Sequence, residues 1–154
     1  MRTPKQLYAH ERRIYQPELL TCPHGGDLLV MCNYLAWDKT VQLLDRVLSV
    51  ASRPGCCRHA TCAGSRMRLL SAEGQRIALP GSTYGYDVLV RIGWWRQEYH
   101  ATYREIHAEL ASQVCISESH VGYLYQQVYL PLLACHERQH RDHLHLQRRR
   151  LRRE

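Results

Sequence analysis

The sequence predicts an α+β chain with its β part first. Five of the seven cysteines and most of the β-like runs fall in residues 18–80. Residues 84–136 instead place apolar side chains at helical spacing, and residues 137–154 are almost uninterrupted polar sequence. The expected order is an N-terminal arm over 1–17, a small β module over 18–80, a three-helix domain over 84–136 and a basic tail over 137–154. At 154 residues, the chain suits one ordinary domain or two small modules and excludes a large multidomain enzyme.

The arm is polar and basic, with Glu11, Arg12 and Arg13 between Tyr8 and Tyr15. It reads as one helical segment broken by Pro17. In the next region, 27–35 is a strand candidate. The run 41–50 fits a strand or a short helix by period, and the cysteine turns on both sides favour strands. Residues 66–70 and 75–79 read as two further strands, with Glu73-Gly74 as a hairpin-like break. Pro80-Gly81-Ser82 reads as a linker.

The first helix is predicted from Val88, Ile92, Trp95 and Tyr99, a single i, i+4, i+7, i+11 stripe. Thr102 can cap a second helix lined by Tyr103, Ile106, His107 and Leu110. Ser117 can cap a third, with Glu118 at its positive end and Val121, Leu124, Tyr125 and Val128 turned inward. The pattern of that helix continues past Pro131 to Leu133 and beyond, with a kink expected at the proline. Ala108 is small where the last two helices would cross, and Ile116 is apolar where the link would enter the core. The tail is too charged to pack and is expected to be disordered or a frayed helix.

The cysteines are spaced for metal. Cys22-Pro-His-Gly-Gly26 resembles half of a zinc knuckle, the Cys-Pro-X-Cys-Gly turn, with Gly25 where the second cysteine would stand. A second turn, Cys57 to Cys62, follows after a β-like stretch. Two cysteine turns separated by strands are the layout of a zinc ribbon. Cys22, Cys57 and Cys62 supply three ligands; His24, His59, Cys56, Cys32 or water could be the fourth, and His24 is taken as the leading choice. The start, Met1 to His10, has no apolar core of a secretory signal, so a reducing cytoplasm is expected, with metal ligands or buried thiols in place of a disulfide framework. No apolar run approaches the length that a membrane span needs.

The helices from Thr102 to Val128, joined by a short break, have a helix-turn-helix layout. The second helix of such a pair lies in the major groove, which turns Glu118, Ser119, His120, Gly122, Tyr123, Gln126 and Gln127 outward. Ser119, His120 and Gln126 can bond base edges or phosphates, and glutamine pairs bidentately with adenine. Tyr123 and Gln127 share that face. Arg104, with Arg91, Arg96 and the tail, would meet phosphates. The net charge of +7 suits a nucleic-acid partner, and 19 of the 21 basic residues are arginine. Residues 143–154 alone hold five Arg against one Glu, so the rest of the chain is only about +3. His136, His140 and His143 lie at helical spacing on a segment polar all round, which reads as a solvated face. No P-loop, GxGxxG or GxSxG motif is present.

Taken as an ensemble, these features resemble the N-terminal region of bacterial insertion-sequence (DDE-type) transposases. The carriers are the Cys22-Pro-His24 turn, Tyr34 to Val50, Arg53-Pro-Gly55 leading into Cys57 and Cys62, and Ser65 to Leu79. In the helical part they are Tyr86 to Gly93, Tyr103 to Leu110 and Ser117 to Gly122. The similarity covers roughly residues 8–143. It implies a zinc-ribbon-like module and a helix-turn-helix that grip element-end DNA. Such transposases continue into a ribonuclease-H-like domain with three metal-binding acidic residues. This chain has no counterparts of those residues, so the expectation is a truncated, non-enzymatic DNA-binding fragment. The same architecture would serve a stand-alone transcriptional regulator, which needs a homodimer to read paired half-sites. A decayed reading frame whose helices bind nothing is the third alternative.

Overall fold

A computed structural model describes residues 7–151, with side chains through residue 141. The fold is α+β: small β-sheets come first, then a helical region. It divides into two compact units, Met1–Val88 and Leu89–Glu154.

The first unit has two three-stranded sheets. In the larger, β4 (Val47–Ser52) lies between β1 (Glu11–Tyr15) and β3 (Trp37–Gln42). β3 runs antiparallel to β4 and β1 runs parallel to it. Val41, Leu48, Val50 and Ala78 form the buried cluster, with Tyr15, Trp37, Leu43 and Ile77 packed around it. The arm is therefore a strand, not a helix. The backbone of Glu11–Tyr15 completes the β4 ladder, and of the side chains in that strand only Tyr15 is partly shielded from solvent.

The smaller sheet joins β2 (Val30–Met31), β5 (Gly55–Cys56) and β6 (Arg68–Leu69), all antiparallel. The 27–35 run thus contributes only two ladder residues. The expected strand at 75–79 does not form: its hairpin break lies inside a short helix, α1 (Ala72–Gln75), and residues 76–79 are turn and irregular chain. Ser71 caps it by accepting from the Gly74 N–H. The Glu18 carboxylate also accepts from the Ala72 and Glu73 N–H groups at 3.0 and 2.9 Å and from the Ser71 hydroxyl at 2.7 Å. These bonds hold Glu18 well below the usual carboxylate range, at about 2, with the Glu73 N–H the largest cause, then the Ser71 hydroxyl and the Ala72 N–H. A carboxylate at the positive end of a helix supplies the acceptors that its first turn lacks.

The helical region follows from the predicted stripes and caps. α2 (Tyr86–Glu98) buries Val88, Leu89 and Ile92. Tyr99 lies beyond its end and is exposed, with its ring edge-on to Trp94. His100 adopts a left-handed φ of 51°, and the Ala101 N–H reaches back to the Trp95 carbonyl, which ends the helix. α3 (Tyr103–Leu110) opens with a reciprocal capping box between Thr102 and Glu105 and buries Ile106 and Leu110. The link carries Val114 and Ile116 into the core. Ala108, expected at a close crossing, is instead exposed.

α4 (Glu118–Tyr123) starts at the Ser117 cap and buries Val121. The helix then widens into a π-helical turn, Leu124–Tyr129, before α5 (Leu130–Leu151). Pro131 offers no N–H and its ring crowds the carbonyl four residues back. A widened turn just before it, with the Leu130 N–H bonded to the Tyr125 carbonyl, accommodates this without a break. The segment read as a disordered or frayed tail is thus helical through Leu151. It contains no helix breaker after Pro131. Residues 152–154 of that tail, and 1–6 of the arm, lie outside the described residues.

Candidate metal centre and helical groove

Two hairpin turns build the cysteine cluster. A bridge between Thr21 and Leu28 closes the first, and the Cys22 N–H donates to the Asp27 carbonyl at 2.7 Å. Gly26, at φ 74°, lets the chain reverse there. The second turn lies between β5 and β6, and its tip is closed by bonds from the Cys62 N–H to the His59 carbonyl and from the Ser65 N–H to the Cys62 carbonyl.

The turns bring the Cys22, Cys57 and Cys62 sulfurs within 4.8 Å of one another. Cys22 Sγ and Cys62 Sγ are 3.7 Å apart. Thiolates on a tetrahedral zinc, with Zn–S about 2.3 Å, stand roughly 3.8 Å apart. Cys22 and Cys57 are buried and Cys62 is half-buried. The backbone N–H groups of His24, then Gly25, hold the Cys22 thiol below its ordinary range. At Cys57 the His59 N–H pulls the same way, but burial and the neighbouring sulfurs prevail and push it up. The Gly64 N–H donates to Cys62 Sγ at 3.3 Å. The donor set and its spacing fit a thiophilic metal such as zinc.

The other expected ligands are elsewhere. His24 is exposed, and neither it nor His59 belongs to the cluster of ligand atoms. Cys32 and Cys56 are joined to each other as a disulfide, with Cα atoms 6.6 Å apart. This corrects the expectation of free thiols. The β2–β5 register sets Val30 against Cys56, so Cys32 lies diagonally across the ladder from it.

In the helical unit, Tyr103, Ser117, Glu118, Ser119, Gly122, Tyr123, Gln126 and Gln127 line an open groove of about 740 Å³. Four of the six residues proposed from sequence for DNA contact meet there. Gln126 donates to the Tyr103 hydroxyl at 3.1 Å, so its amide is already partly engaged. Gly122 is buried rather than outward-facing, because the Tyr103 ring packs against it. His120 is half-buried beside Tyr123, and burial lowers its pKa, leaving a neutral ring at pH 7. Arg104 is exposed on α3 but does not line the groove. Arg96 bonds the Ala101 carbonyl at 3.0 Å and lies over the Tyr103 ring, so it tethers α2 to α3. This role was not readable from sequence spacing.

Among the described residues, no helix is long and apolar enough to cross a membrane. Comparison with protein-family models, curated proteins and solved structures finds no match to this chain.

Proposed function

We propose that the chain is the DNA-binding fragment of a transposase-like protein, with a zinc-ribbon-like module followed by a helix-turn-helix. The observation that carries this is the capped pair α3 and α4. Their link buries Val114 and Ile116, and α4 opens onto a groove bearing Ser119, Tyr123, Gln126 and Gln127. Amides, hydroxyls and an aromatic ring there suit hydrogen bonding to base edges and contact with a thymine methyl. The groove lining holds one carboxylate, Glu118, and no histidine or cysteine, which suits binding better than catalysis. Zinc on Cys22, Cys57 and Cys62 would knot the two hairpin turns.

Gel shifts across a salt series test the reading, using the inverted repeats around the gene and scrambled duplexes. The expected result is at least about tenfold tighter binding to the repeats at physiological salt, reduced by Gln127→Ala. Equal affinity for both duplexes, with the full salt slope, would leave only charge. A stand-alone regulator of the same architecture is the second reading. The long, solvent-exposed start of α5, with Leu130 and Leu132 on its surface, favours it as a homodimer contact. A monomer in light scattering would argue against it.

A further inference from the structure

We infer that a metal held by Cys22, Cys57 and Cys62 keeps its fourth coordination position open on the Gly25 side and fills it with a small thiol or similar soft anion from solution. This rests on the reading that the cysteine cluster binds metal.

Three sulfurs leave a tetrahedral ion one ligand short. A Cβ at Gly25 would lie 3.0 Å from Cys62 Sγ, so residue 25 adjoins the sulfur cluster and brings no donor atom to it. Gly25 is exposed, which opens that side to solvent. The chain packs tightly at Gly64, where a Cβ would lie 2.6 Å from Cys22 Sγ, closer than such atoms approach. The remaining cysteines of the unit are taken up by the Cys32–Cys56 disulfide. His24 and His59 fall outside the cluster. Two competitors within the chain flank the sulfurs, the Asp27 carboxylate at 3.2 Å from the Gly25 point and the His24 ring carbon Cδ2 at 3.3 Å from the Gly64 point, yet among the described residues neither joins the cluster. Three thiolates make the ion soft, so a thiol would compete well with water for the open position.

Cobalt(II) reports thiolate number through its sulfur-to-metal charge-transfer absorption. The full chain is loaded with Co(II) under anaerobic conditions and titrated with 2-mercaptoethanol. The expected absorption starts at a three-thiolate level and rises by about a third as a fourth sulfur enters. Gly25→Cys should start at the higher level and ignore the added thiol. Asp27→Asn should behave as the unaltered chain does. A three-thiolate spectrum that does not respond to thiol, or one altered by Asp27→Asn or His24→Ala before thiol is added, would overturn the inference and leave metal binding intact. Absence of any thiolate–cobalt absorption would overturn metal binding itself. Repeating the titration in Cys32→Ser/Cys56→Ser keeps those sulfurs from supplying the fourth ligand.

Discussion

The helical unit buries Ile92, Ile106, Leu110, Val114, Val121 and Leu124 at 4% exposure or less. The β unit is longer, but its main aliphatic cluster is Val41, Leu48, Val50 and Ala78, and three of its strands are two residues long. The smaller sheet, built of two-residue strands, buries too little apolar surface to hold itself together. The β unit therefore relies also on ties at single points: the Cys32–Cys56 disulfide, the three-cysteine cluster, the Glu18 cap on α1, and Lys39, whose ammonium donates to the Leu79 carbonyl at 2.7 Å. The lesson is that one half of the molecule spreads its stability over a core, while the other concentrates it in a few bonds.

The largest expected effect is therefore that of metal removal. Chelation of the zinc-loaded chain should abolish the cooperative unfolding of Met1–Val88 and leave the helical transition unchanged, since structural zinc can supply on the order of 10 kcal/mol. Calorimetry distinguishes the two transitions, and loss of both would break the contrast. Ile106→Ala should do the reverse. It should destabilise the helical unit by about 2–5 kcal/mol in denaturant unfolding, with cobalt binding unaltered.

Smaller effects sharpen the comparison. Thr102→Ala removes a capping box and should lower helical stability by about 1 kcal/mol, read as a shift in the same denaturation midpoint. The smallest effect expected is the pH response through Glu18. Its folded pKa is depressed to about 2, so its contribution is complete above the ordinary carboxylate range and is lost as pH falls toward 2. An acid titration of β-unit stability should therefore be flatter in Glu18→Gln than in the unaltered chain.

The same contrast explains what could be read from the residues alone. The helices were legible because their signals are local: the Ile92, Ile106 and Val121 stripes, and the caps at Thr102 and Ser117. The meeting of Cys22 with Cys57 and Cys62 was legible from spacing, since each turn is a local motif. The β unit hid what depends on distant partners. Glu11–Tyr15 has no strand alternation and is a strand because β4 accepts it in parallel. Ala72–Gln75 is a helix because a carboxylate 54 residues from Ala72 caps it. His24 was placed among the ligands from sequence adjacency, but the turn exposes it. Of the groove residues, the side-chain bond from Gln126 to Tyr103 spans 23 positions and has no sequence signature.

The π-helical turn at Leu124–Tyr129 also sets the phase of everything after it. Its broad pitch amounts to an extra residue inserted into an otherwise continuous rod. Removing one residue there would let the rod close into an ordinary spiral and swing the later helix about its own axis by about 100°, the angle per residue. Every side chain from Leu130 to Arg141 would then face a new compass direction, although its sequence was unchanged. A one-residue deletion within these six positions would thus displace Gln126 and Gln127 as well, so the far end of the groove and the start of α5 would be re-aimed together.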